Sequence, residues 1–234
     1  MGMTAKLAIA DFAATAKDMD MVFEFFRETD RRFSPFIADS ELCALNRGAT
    51  AMSAPMREVL DLAEESRQAM KGYFNIRRPD GMVDTSGLVK GWAIRGGAKI
   101  LKERGHENFA VEIGGDIQTS GVMEDGGDWK VGIRSPFADA VVKILYPRGG
   151  GVATSGSYHQ GTHIYDPHGG VPEGVVSLTV IADDILAADI AATAAFAMGK
   201  DGIYFLEKEP GLEAYAIDAM GRAKMTSGLA QYLS

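Results

Sequence analysis

An α+β fold, with mixed and mainly antiparallel sheets packed against helices, is the class predicted by the order of hydrophobic patterns along this chain. Up to Arg104 apolar residues recur at helical spacing, whereas after Gly105 they fall into short period-two runs separated by Gly, Asp and Pro. A late alanine-rich segment then returns to helical character before the tail alternates again.

The elements follow in order. From Asp18 to about Arg32, Met19, Val22, Phe23 and Phe26 form one helical stripe. The stretch RFSPFIADSELCALNRG is too polar and too broken for a long element. A second helix is expected over 54–71, with Met56, Val59, Leu60, Ala63 and Met70 on one stripe. Ser53 caps it, and Pro55 sits in the first turn, where a missing N–H costs nothing. A third helix covers Lys90 to Arg104, entered from a glycine turn at Gly87 and left at Gly105. The runs FAVEI, DWKVGIR, VVKILY and VVSLTVIA read as strands. DDILAADIAATAAFAMG reads as a helix with Asp183 near its start and Gly199 at its end, and its small residues let it lie close against a sheet. The tail reads as strand, Met-Gly turn, strand and short helix. No low-complexity linker or repeat marks a domain boundary.

Composition removes several function classes. With 234 residues, 46% of them hydrophobic and 24% charged, the chain can bury a sizeable core. A net charge of −8 without a basic run argues against a nucleic-acid partner, since affinity for phosphate backbones comes from clustered Lys and Arg. The single cysteine, Cys43, excludes an intrachain disulfide and a multi-thiolate metal site, and it reads as a small core residue. No segment approaches the roughly 18 apolar residues of a membrane span. Lys6 stands where myristoylation wants Ser or Thr, so no lipid anchor is supported. A cytoplasmic enzyme or binding protein is the expectation.

Four segments combine glycine with charged or polar side chains. In VDTSGLVKGWA a strand-like start gives way to a glycine turn and a helix, where free N–H groups suit an anion and Lys90 adds positive charge. An ordinary turn with a surface lysine fits the same residues. In VEIGGDIQ an apolar strand ends at Gly114 and Gly115, followed by Asp116; the glycines permit close approach of a ligand, or simply form a bulge or tight turn. ATSGSYHQGTHIYDPHGG holds three of the four histidines, and in it Thr154 and Ser155 lie in a glycine turn while His163 and Asp166 are three residues apart. A Ser-His-Asp triad is disfavoured, because TSGS lacks the strained elbow of such nucleophiles. In AADIAAT, Asp189 and Thr193 are four apart on one helical face, offering a carboxylate and a hydroxyl to one hard cation. The alanine-rich surroundings imply burial, so Asp189 needs a cation or donors nearby. Oxygen ligands with water suit Mg²⁺ better than Zn²⁺, and Mg²⁺ implies a phosphate-bearing substrate.

Taken in order, MGM, FSPFIADSELCALN, GYFN, DTSGLVKG, IGGD, ATSG, HIYDP and ADIAAT resemble the motif series of the ApbE-type flavin transferases. The resemblance covers nearly the whole chain and implies a single such domain over residues 1–234. It implies an enzyme that cleaves FAD, releases AMP and attaches FMN through its phosphate to a Thr or Ser of an acceptor protein, with Mg²⁺ as cofactor. Residue by residue, it places Met3, Phe36, Asn46, Tyr73, Phe74, Asn75, Asp84 and Lys90 on FAD. It adds Gly114, Gly115, Asp116, Ser155, Gly156, His163 and Ile164 to the same ligand. It puts the Gly87 carbonyl with Asp189 and Thr193 around Mg²⁺, and His163 at the transferred phosphoryl group as general base, with Asp166 either orienting it or beginning the turn at Pro167.

The chain departs from the pattern at four places. Phe36 stands where the family has Tyr, Asn75 where it has Asp, Gly169 where it has Thr, and Arg95 where an Asp often follows the lysine motif. An FAD pyrophosphatase with water as acceptor, and a flavin-binding protein without catalysis, are the rival readings.

Overall fold

The computed structural model describes residues 2–156 and 173–233. The chain opens with strand β1 (Ala5–Ile9), followed by α1 (Ala16–Phe33), a short α2 (Glu41–Asn46), α3 (Ala54–Ala69) and α4 (Ser86–Glu103). Strands β2 (Phe109–Ile113), β3 (Asp116–Ser120), β4 (Val131–Arg134), β5 (Val141–Leu145), β6 (Gly151–Gly156) and β7 (Ser177–Ala182) come next. Helices α5 (Ile185–Ala197) and α6 (Gly202–Leu206) precede β8 (Glu213–Ile217), β9 (Ala223–Met225) and a closing 3₁₀ segment, Ser227–Tyr232.

The main sheet has seven strands in the order β1-β2-β3-β6-β7-β8-β9, every described neighbour pair being antiparallel, while β4 and β5 form a separate hairpin. The α+β expectation holds. Strand β7 is buried at all six positions, its polar Ser177 and Thr179 included.

Helices α1, α4 and α5 share a core with β2, β6 and β7, built around Val22, Phe26, Ile94, Leu101, Phe109, Val111, Leu178, Val180 and Ala188. A second cluster lies on the far side of α4, where Leu42, Met56, Val59, Phe74, Leu88 and Trp92 meet Leu186 and Ile190 of α5. The hairpin β4–β5 joins a third, formed by Ile133, Leu145, Val152, Ile181 and Leu229. Helix α5 therefore touches two cores at once, and residues on all its sides are buried, in accord with its all-round small and apolar sequence.

Several sequence expectations shift. Helix α4 begins at Ser86, so Gly87 lies in its first turn and Lys90 in its second, not at its entrance. Strands β1, β3 and β6 were not foreseen, and Thr154 and Ser155 belong to β6 instead of a glycine turn. The broken stretch after α1 carries the six-residue α2, capped by the Ser40 hydroxyl, which accepts the Cys43 N–H at 3.1 Å. Cys43 is half-buried, with its sulfur 3.5 Å from the Pro35 carbonyl, and not a core residue. At the start of α5 it is Asp184 that caps, accepting the Leu186 N–H at 2.8 Å, while Asp183 is exposed.

The join between β3 and β6 is short in backbone pairing and rich in side-chain bonds. Only Ile117↔Val152 and Gln118↔Gly151 are in register. Gln118 Nε2 donates to the Gly149 carbonyl at 2.8 Å, its Oε1 accepts the Ile185 N–H at 2.8 Å, and Thr119 Oγ1 donates to the Gly150 carbonyl at 3.0 Å. Polar residues thus occupy buried positions of β3 because they close the sheet and tie it to the start of α5. Among the described residues no helix is long and apolar enough to cross a membrane.

Gly151 is where β6 meets that helix start. A Cβ there would stand 2.4 Å from Ile185 Cα and 2.5 Å from Ile185 N, both backbone atoms. Gly151→Ala is expected to lower stability by roughly 1–3 kcal/mol through overpacking, read as a shift of the denaturant midpoint; an unchanged midpoint would contradict this close approach.

Candidate active site

The sheet edge of α4, the start of β3 and the middle of α5 bring three charged groups together. Lys90 Nζ lies 2.6 Å from Asp116 Oδ2 and 3.5 Å from Asp189 Oδ1. Both carboxylates are buried, each residue 2% exposed. Asp116 is placed by a two-residue hairpin in which Gly114 and Gly115 have φ of +60° and +96°, a left-handed pair that favours glycine, so the chain turns and Asp116 pairs with Ile113. Its Oδ1 accepts the Thr154 N–H at 2.9 Å, which links β3 to β6. Asp189 Oδ2 accepts the Gly91 N–H at 2.9 Å. A side chain at position 91 would crowd that contact, since its Cβ would lie 3.0 Å from Asp189 Cβ and Oδ2 and 3.1 Å from Leu186 Cα.

Burial pushes the Asp189 carboxyl up to about 7, against the pull of Lys90, with Asp116 pushing the same way as burial. Asp116 is raised too, by burial first, with Lys90 opposing. For Lys90 burial lowers the pKa, but Asp189 and Asp116 together outweigh it, and the ammonium is held above its ordinary value. Among the described residues, one ammonium faces two carboxylates, so with both acids ionised the cluster is one positive charge short of balance, a deficit that a proton or a cation can fill.

A hard cation fits this place. Thr193 lies one turn beyond Asp189 on α5, and a Cβ built on Gly87 would be 3.6 Å from Thr193 Cγ2 and 3.9 Å from its Oγ1, so the first turn of α4 abuts that hydroxyl. The Gly91 N–H that serves Asp189 is also the amide a regular α-helix directs to the carbonyl of residue 87, so the Gly87 carbonyl at most shares its helical donor. The neighbouring Thr85 hydroxyl is 1% exposed and has no hydrogen-bond partner among the described residues. Carboxylate, hydroxyl and carbonyl oxygens are the donors Mg²⁺ takes. Among the described residues no three His, Cys, Asp or Glu side chains converge on one point, so a soft-metal cage does not form there.

The other candidates fall around this cluster in distinct roles. Asp84 Oδ1 accepts the Ser86 N–H at 3.0 Å and the Ser86 hydroxyl at 2.5 Å, while the Leu88 and Val89 amides donate to the Thr85 carbonyl. The amides at the start of α4 are thus largely satisfied within the protein, and Lys90 is not the surface lysine of an ordinary turn: it turns to two buried carboxylates. Asn46 grips a backbone segment, its Nδ2 donating to the Val83 carbonyl at 2.9 Å and its Oδ1 accepting the Val83 N–H at 2.8 Å. That clasp fixes the approach to Asp84. Phe74 is 2% exposed, and its ring lies within 3.7 Å of the Gly87 Cβ position; Tyr73 packs half-buried on the same cluster.

Asn75 Oδ1 accepts the Arg77 N–H at 2.9 Å, an Asx turn. Met3 lies against Gly114, its sulfur 2.7 Å from that Cβ position. Ser155 and Gly156 end β6 opposite Leu178 and Ser177. Phe36 sits on the α1–α2 turn and is 90% exposed. His163 and Ile164, with Asp166 and Gly169, lie outside the described residues. Sequence reasoning missed the Gly91 amide, whose only trace is the glycine directly after Lys90.

The comparisons with known proteins converge. Residues 76–216 match the ApbE family. A Vibrio cholerae FAD:protein FMN transferase is 37% identical over 135 residues, covering 53% of this chain and 40% of that protein. One from Klebsiella pneumoniae is 32% identical over 186 residues, covering 74% of this chain and 53% of that protein. The matched stretches thus span about half the length of these curated relatives or less. The solved structure of the flavin transferase ApbE from Vibrio cholerae superposes with a TM-score of 0.87 at 25% identity, covering 100% of this chain and 96% of that one.

The raised Asp189 pKa has a signed consequence. The folded state holds this proton from the unfolded value of 3.8 up to about 7, so without a cation its contribution to stability is lost as pH rises through that window. Melting in the presence of chelator should fall more steeply between pH 4 and 7 for the wild type than for Asp189→Asn; equal slopes would show that Asp189 does not carry the dependence.

Proposed function

The chain belongs to the ApbE family, and from that membership we propose that it acts over residues 1–234 as a Mg²⁺-dependent FAD:protein FMN transferase. The observation that carries the chemistry is the buried Asp189 with Thr193 one turn on and Gly87 abutting it, an oxygen-donor set with a charge deficit. The names of the relatives supply the substrate class.

Asp189, Thr193 and the Gly87 carbonyl would hold the Mg²⁺, which when bound neutralises charge on the FAD pyrophosphate. Asp116 holds Lys90 and, through the Thr154 N–H, the strand that leads toward His163. The Asn46 clasp on Val83 and the Asx turn at Asp84 set the entry to α4, beside which Phe74 forms an apolar wall. In this reading the hydroxyl oxygen of a Thr or Ser on the acceptor protein bonds to the FMN phosphorus, the bond from that phosphorus to the bridging oxygen breaks, and AMP leaves. His163 takes the hydroxyl proton, a role suited to an imidazole whose unperturbed pKa is about 6.5.

Incubation with FAD, Mg²⁺ and an acceptor protein should release AMP in step with flavin attachment; AMP release independent of the acceptor would favour a pyrophosphatase. Asp189→Ala should abolish turnover while the fold persists by circular dichroism, and unaltered turnover would rule out this metal site. His163→Ala should lower transfer by about 10² to 10⁴ with little change in FAD binding, whereas transfer at the wild-type rate would exclude it as the base.

A further inference from the structure

Lys90 is bound unequally by its two partners. Its Nζ is 2.6 Å from Asp116 and 3.5 Å from Asp189. A lysine serving only as a structural ion pair with Asp189 would close that distance, and a lysine serving only the ligand would not be flanked by two buried carboxylates. Asp116 is in turn fixed from behind by the Thr154 N–H at 2.9 Å, and Asp189 by the Gly91 N–H at 2.9 Å. The two acids cannot rearrange freely, so the ammonium is the movable member.

We propose that Lys90 is the counter-ion of the metal-free cation site, and that Asp116 is the positioning residue that holds it off Asp189 so that Asp189 remains available to a divalent cation. This role rests on the Mg²⁺ reading above and adds to it a built-in competition. Within an ion-paired set the two substitutions act in opposite directions. Asp116→Asn keeps an oxygen to accept the Thr154 N–H but removes the charge that retains Lys90, so the ammonium passes to Asp189 and excludes the cation. Lys90→Met keeps the apolar stem and leaves two buried carboxylates with no countercharge, so the cation is drawn in and the metal-free protein is weakened.

The test uses Mn²⁺ as the probe, titrated into the full chain and followed by electron paramagnetic resonance of the free ion, with melting in Mn²⁺ and in chelator as a second readout. Asp116→Asn should weaken Mn²⁺ binding by about tenfold or more, and Lys90→Met should tighten it by about tenfold, as expected for adding or removing a unit charge a few ångströms away. The melting gain from Mn²⁺ should be larger than wild type in Lys90→Met and smaller in Asp116→Asn. Should Lys90→Met fold only with Mn²⁺ present, that dependence is the same result. The double variant restores the net charge of the cluster and should bind at least as tightly as wild type; if it instead binds as weakly as Asp116→Asn, the competition is refuted.

A merely structural role predicts that both single variants lose stability and affinity together. Shifts of the same sign, or no shift in either, overturn the counter-ion role alone. A wild-type protein that takes up no Mn²⁺ overturns the metal reading on which it stands.

Discussion

The molecule is organised around the burial of two carboxylates, Asp116 and Asp189, against one ammonium at the junction of β3, α4 and α5. Carboxylates out of water are expensive, and an amide from Thr154, an amide from Gly91 and the Lys90 ammonium offset part of that cost, while burial still holds both carboxyls above their ordinary pKa. Because each acid uses a backbone donor from a different element, the cluster also fixes those elements relative to one another. Structure and candidate chemistry therefore share the same bonds.

Helix α5 shows how the packing allows this. It is alanine-rich on every side because β6, β7 and α4 all approach it closely, and a larger side chain would push one of them away. Asp189 is the one acidic side chain within it, and Gly91 on the facing helix makes room for its carboxylate. Gly87 is less constrained, since a Cβ there would make ordinary contacts with Thr193 and Phe74 at 3.6–3.9 Å, but it brings the first turn of α4 alongside the Thr193 hydroxyl. Family membership fits with this arrangement, since the motif segments that carry the resemblance are those that contribute these contacts.

The long amphipathic helices α1 and α3 were legible in the sequence because each buries one helically spaced stripe, Val22, Phe26 and Phe33 in α1 and Met56, Val59 and Ala63 in α3, and Ser53 and Pro55 marked the start of α3. Asp189 and Thr193 were legible for a similarly local reason, four residues apart on a helix. The partners of Lys90 were not, since they lie 26 and 99 residues further along the chain and no local pattern reports such a meeting. The polar strand β3 and the glycine-bounded β6 escaped because buried Asp116, Gln118 and Thr119 mimic a loop, although each is occupied in joining strands or elements. Asn46 could be singled out, but that it clasps the Val83 backbone is a long-range fact.

The join between β3 and β6 carries a mechanical meaning. Two registered backbone pairs, the Thr119 N–H bond to the Gly150 carbonyl and a handful of side-chain bonds connect the sheet's two halves, so side chains carry much of the cohesion along this line. Asp116 and the amide it accepts straddle that line. A single side chain thus belongs to both the site and the seam: one oxygen of Asp116 faces the Lys90 ammonium and the other holds the Thr154 amide of the neighbouring strand.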